Sequence, residues 1–170
     1  MKKIASLVLM TASFIFFLAS CAPTKEDAMD YNDKIIREQK KVVQCEKDLI
    51  DAIKKNLTKG NTLDDLLKEL STQINESKKI VEEMDKFDGK TDFKDAALKF
   101  FAAYREVVDK EYTAWLENMK TPAELITEDV LYEEDELINA INRKLDKATN
   151  DFLDAQKDFA AKYEFKLASE

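Results

Sequence analysis

Two thiols and a run of carboxylates are the residues of this 170-residue chain best equipped for chemistry, and no histidine accompanies them. Without imidazole there is no His-based triad, no histidine general base and no His-containing zinc or di-iron site. Cys21 closes the stretch Leu18-Ala19-Ser20-Cys21, where small side chains lead straight to a thiol. Cys45 falls on an apolar helical stripe, and a free cysteine there packs as a small hydrophobe. Glu128, Asp129, Glu133, Glu134, Asp135 and Glu136 form the densest acidic cluster. Their spacing does not match an EF-hand loop and no glycine makes its turn. They read as a solvated helix start favoured by the helix dipole. Glu111 stands inside an apolar stripe, between Val107 and Trp115. Buried there, it needs a Lys or Arg from another helix, or an internal ligand.

Phe100, Phe101, Tyr104, Tyr112 and Trp115 recur at helical spacing and read as core. Phe101 and Tyr112 are the two expected at the surface, as a candidate partner site. No Gly-rich phosphate loop, nucleophile elbow or Cys-x-x-Cys occurs, and no pair of carboxylates is marked for acid–base work. The expectation is a non-enzymatic protein without cofactor or metal. An alternative is a binding protein that holds a small apolar ligand or haem-like group between helices, with Met84 and Met119 as conceivable axial ligands.

The elements that must position these residues are helices. Glycine and proline each occur only twice, as suits long helices, since glycine costs about 1 and proline about 3 kcal/mol in a helix interior. Gly60, Gly89 and Pro122 fall where the apolar stripes break, and predict helices over about 27–57, 62–87, 92–120 and 122–166. Tyr31, Ile35, Val42, Cys45, Leu49 and Ile53 mark the first stripe; Leu63, Leu66, Leu67, Leu70, Ile74 and Val81 mark the second. Phe93, Ala97, Phe100, Tyr104, Val107, Glu111, Trp115 and Met119 mark the third. Val130, Leu131, Leu137, Ile138, Ile141, Leu145, Phe152, Phe159 and Tyr163 mark the fourth. As one helix, residues 122–166 would run about 67 Å against about 40 Å for 62–87, so a break is expected near 127–129. Four amphipathic helices with short links predict an all-α, antiparallel up-down-up-down four-helix bundle over residues 27–170.

The first twenty residues follow a different logic. Lys2 and Lys3 precede an apolar run over residues 4–18. That run is too short to span a ~30 Å hydrocarbon core comfortably and suits a secretory signal. With Leu18-Ala19-Ser20-Cys21 it resembles the lipobox of bacterial lipoproteins. The resemblance implies cleavage before Cys21, a diacylglycerol on its sulfur, and residues 21–26 as a lipidated tether. The membrane would then be held through acyl chains, palmitate among them. About 150 residues would remain, enough for one domain that buries roughly 70% of its unfolded surface. The net charge of −8 becomes two units more negative without Lys2 and Lys3, which disfavours nucleic acid and anionic lipid as partners of the body.

Two further passages carry a family resemblance. One is Tyr31-Asn32-Asp33-Lys34-Ile35-Ile36. The other is Asp88-Gly89-Lys90-Thr91-Asp92-Phe93-Lys94-Asp95-Ala96-Ala97-Leu98, followed by Phe100, Phe101, Tyr104 and Glu111-Tyr112. Together with the lipobox they resemble a family of uncharacterised helical surface lipoproteins of spirochaetes and Bacteroidota. The resemblance implies an envelope location and brings no catalytic residue. Lys25-Glu26-Asp27 is similar to the basic-then-acidic export signals of some Bacteroidota lipoproteins, and Ala22 replaces the aspartate of an inner-membrane retention signal. The expectation is an outer-membrane lipoprotein, on the surface or periplasmic face, with an envelope protein as candidate partner.

Overall fold

A computed structural model describes residues 22–55 and 62–167. The lipobox residues Leu18, Ala19, Ser20 and Cys21, and the turn around Gly60, lie outside the described residues. The protein is all-helical and bundle-like. Its elements are α1 (Lys25–Lys54), α2 (Thr62–Glu82), α3 (Asp92–Val107), a π-helical turn (Val108–Tyr112), α4 (Thr113–Asn118), a 3-10 turn (Ala123–Leu125) and α5 (Glu128–Lys162). Among the described residues no helix is long and apolar enough to cross a membrane.

Local chemistry explains where these helices start and stop. Thr24 and Asp27 form a reciprocal capping box at the start of α1. The Thr24 hydroxyl oxygen accepts from the Asp27 N–H at 3.1 Å, and the Thr24 N–H donates to the Asp27 carboxylate at 2.8 Å. Those bonds, the backbone one first, hold the Asp27 carboxyl below its usual range. The second helix stops at Glu82, short of the end near residue 87 that the sequence predicts. Lys94 reaches back from α3 to the carbonyls of Glu82 and Met84, which satisfies part of that helix end. Phe87 and Lys90 exchange backbone hydrogen bonds of 3.0 and 2.9 Å across Asp88-Gly89. Both central residues have positive φ, 52° and 70°, a pairing for which Asp-Gly is suited. Pro122 does not open a helix, since its ψ of 141° lies outside the helical region. After one 3-10 turn, α5 begins under Thr127, whose hydroxyl accepts from the Val130 N–H.

The helices pack through named pairs. The Tyr31 hydroxyl donates to the Asp85 carbonyl at 3.2 Å, and Ser77 to Glu38 at 3.0 Å, joining α1 to α2 and the chain just beyond it. Arg105 reaches Ser71 at 2.6 Å between α3 and α2. Phe93 stacks on Phe152 and Phe159 between α3 and α5. The core runs through Ile35, Val42, Leu49, Leu70, Ile74, Val81, Ala97, Phe100, Phe101 and Val107, all buried. Each large side chain there contributes about 1.5–3 kcal/mol of burial. By contrast α1 and α5 meet at few points, among them the Gln156 amide donating to Asn32 at 2.9 Å and the Tyr31 and Phe159 rings.

Candidate functional site

The π-helical turn decides which polar groups enter the interior. Its wider turn holds one residue more than an α-helix needs for the same rotation. At about 100° per residue, Tyr104 and Tyr112 would lie about 80° apart around a regular helix axis; the extra residue reduces this to about 20°. Both phenols therefore face α1. Tyr104 donates to Glu46 Oε2 and Tyr112 to Glu46 Oε1, each at 2.8 Å. Burial, reinforced by the Glu46 charge and these hydrogen bonds, pushes both phenols far above the usual range near 10. They are fixed donors to a half-buried carboxylate and lose no proton at physiological pH.

The same turn overturns one expectation from the sequence. Phe101 and Tyr112 do not form a partner surface, since they are 0% and 1% exposed. Beyond Val108 the buried positions are Tyr112 and Leu116, whereas Glu111, Trp115 and Met119 of the regular stripe are only partly buried. The stripe has moved by one residue. Phe101 is inside for a simpler reason, because α3 lies between α2 and α5 and so presents a wide face to the core.

Glu111 finds a lysine from another helix. Lys144 of α5 bonds Glu111 Oε1 at 2.9 Å and Glu106 at 2.7 Å. The two lysines beside Glu106, 144 before 110, hold its carboxyl below the usual range, and the two glutamates raise Lys144. Glu38, Ser77 and Gln73 are bonded within the chain as well. Glu38 is held by Ser77 and by Lys41 at 2.8 Å, and Gln73 donates to Ser77 at 3.0 Å. Cys45 is half-buried against the core, and burial raises its thiol. Met84 and Met119 lie at opposite ends of α2, the first beside Lys94 and the second beside Lys120, which bonds Asp64. The length of α2, about 30 Å, separates them, so they are not two ligands of one haem-like group. Among the described residues no three cysteine or carboxylate side chains gather as a metal site would.

Two open surfaces among the described residues carry most of the accessible apolar side chains. Between α1 and α5 runs a cavity of about 530 Å³, with Met29, Ile36, Phe152, Leu153, Phe165 and Leu167 among its walls. The other is the tip formed by the 3-10 turn and the start of α5. Four of the six large apolar side chains exposed among the described residues fall within residues 125–132: Leu125, Ile126, Leu131 and Tyr132. Sequence periodicity missed this, because it assigned Leu131, Leu137 and Ile138 to the core stripe. None of them belongs to a core cluster, and the first buried residue of α5 is Ile141. The acidic residues noted in the sequence surround these side chains. Lys25, Glu26 and Asp27 form the exposed first turn of α1, where Asp27 also serves the cap.

Fold and site together define an all-helical, bundle-like protein in which most interior polar groups bond one another, while Glu111 Oε2 and Asn118 Nδ2 are buried without a hydrogen-bond partner among the described residues. No protein-family model matches the sequence, and no match emerges among curated proteins or solved structures.

Proposed function

We propose that this chain is a non-enzymatic, lipid-anchored protein of the bacterial cell envelope, tethered through Cys21 and acting as an interaction or structural module. The observation that carries this reading is the capped helix start at Thr24. It leaves only residues 22–24, about 10 Å of extended chain, between the lipobox cysteine and a rigid body. Such a body would stand directly on its membrane, with the uncovered tip at the far end. Two acyl chains would hold it durably, at about 0.8 kcal/mol per buried methylene. The up-down-up-down arrangement is supported by the cross-helix pairs: Tyr31 with Asp85, Arg105 with Ser71, Glu106 with Lys144 and Asn32 with Gln156. In the first and last of these an early part of α1 meets a late part of its neighbour or the chain just beyond it, and in the other two the late part of α3 meets the middle of α2 and of α5. An exposed Lys25-Glu26 pair suits an export signal read at the outer membrane.

Cys21→Ala tests the reading. The variant is expected to leave the membrane fraction or to accumulate as precursor, and unchanged processing and detergent partitioning would refute it. A second reading, a carrier for a small apolar ligand, is favoured by the α1/α5 cavity, whose volume lies in the range of ligand pockets. Native mass spectrometry of the purified protein is its test: a retained small molecule supports it, and a bare chain removes it.

A further inference from the structure

We propose that residues 125–138 form a docking surface for a basic, amphipathic helical segment of a partner protein, which deepens the interaction-module reading and rests on it. Between Lys120 and Arg143 there are seven carboxylates and no basic residue. None of the seven is ion-paired to a described residue, whereas lysines elsewhere are paired along α2, the π turn and the later part of α5. Into this acidic field project Leu125, Ile126, Leu131 and Tyr132, 61%, 45%, 52% and 69% exposed. Such side chains are ordinarily scattered singly over a surface, and a concentration of them rimmed by polar groups marks an interaction site.

The spacing specifies the partner. Leu131 and Tyr132 sit about one helical turn after Glu128 and Asp129 and one turn before Asp135 and Glu136. On a helix, neighbours three or four residues apart lie about 5–6 Å from each other. The exposed face of α5 thus presents an apolar pair with two carboxylates about 6 Å to either side. Its complement is a helix carrying an aliphatic or aromatic anchor with Lys or Arg three or four residues before and after it. About 20 Å of α5 precedes Ile141, enough for some three and a half turns of a partner helix. A second copy of this chain is a poor occupant, because it would bring the same unpaired carboxylates. An anionic lipid surface fails for the same reason.

The test uses the purified full-length protein and two labelled eighteen-residue amphipathic helices, one of leucine and lysine and one of leucine and glutamate, followed by fluorescence anisotropy. The Leu/Lys helix is expected to bind, and to weaken several-fold between about 50 and about 300 mM NaCl. Leu131→Ser with Tyr132→Ser keeps every charge and is expected to weaken binding by about tenfold or more with unchanged circular dichroism. Asp135→Lys with Glu136→Lys is expected to transfer preference to the Leu/Glu helix. Equal binding of both helices by the wild type, or an unaffected double serine variant, would overturn the proposal. So would self-association in sedimentation velocity that the serine variant abolishes. The measurement needs no acyl chain, so an unlipidated Cys21 leaves it intact, and absent peptide binding leaves the anchor intact.

Discussion

The two ends of this molecule treat apolar side chains in opposite ways. Where α1 begins and α5 ends, Tyr31, Phe87, Phe93, Phe159 and Tyr163 lock their rings together at centroid distances of 4.9–5.8 Å, with Phe165 against Phe159. At the other end Leu125, Ile126, Leu131 and Tyr132 join no ring pair or core cluster among the described residues. Helices of similar amphipathic pattern form both ends. The difference lies in what stands opposite: α5 meets α3, the Phe87 turn and α1 at its end, whereas α4 stops at Asn118 and leaves the start of α5 uncovered. Apolar periodicity therefore shows which face of a helix wants cover, and neighbouring helix lengths decide whether it gets it.

The sharpest way to break this comparison is by deletion. Removing Lys110 from the π turn should return it to α-helix with Tyr112 and Leu116 still facing inward, at a cost of about 1–3 kcal/mol from adjustment. Removing Lys99 from regular α3 should rotate Phe100, Tyr104 and Val107 by about 100° and abolish folding, as read by circular dichroism. Next in size, Phe93→Ala at the ring end should cost about 3–5 kcal/mol in urea unfolding, while Leu131→Ala at the tip should stay within about 0.5 kcal/mol. Equal losses at both sites would end the contrast between the two regions.

A smaller effect sharpens the account of the interior. Tyr112→Phe keeps the ring but leaves Glu46 with one phenol, and should cost about 1–3 kcal/mol. Because folding raises Tyr104 and Tyr112, their contribution is complete below the unfolded phenol pKa near 10 and is lost as pH rises above it. Stability should thus fall from about pH 10 upward, with the tyrosinate absorbance of these two residues emerging only as helicity is lost. In the double Phe variant that part of the alkaline loss should vanish. The smallest effect lies at the Thr24 cap. Folding lowers Asp27, so its contribution is present above the usual carboxylate range and is lost as pH falls through the folded value. Hydrogen exchange at the first turn of α1 should accelerate in acid, and Asp27→Asn should remove that acid dependence.

How far the sequence could be read follows from these same residues. The stripes of α1 and α2 translate directly into buried Ile35, Val42, Leu49, Leu70, Ile74 and Val81, because period and burial agree there. The all-helical class was legible for that reason. A single extra residue in a helix carries no compositional mark, so the π turn was invisible and Tyr112 was placed on the wrong face. Glu46 was missed with it, since only the shifted register brings two phenols to that carboxylate. At the tip the charge was legible and the exposure was not. Leu131 and Ile138 keep helical spacing with Leu145 and Phe152, and spacing alone does not show where the neighbouring helices stop.

The central claim is that Cys21 is the lipidated first residue of a body whose uncovered tip points away from the membrane. Intact mass spectrometry of the membrane-extracted protein tests it most directly. The account predicts a mass equal to residues 21–170 plus acyl chains. The mass of the unmodified full chain, or of a fragment cut without lipid, would contradict it.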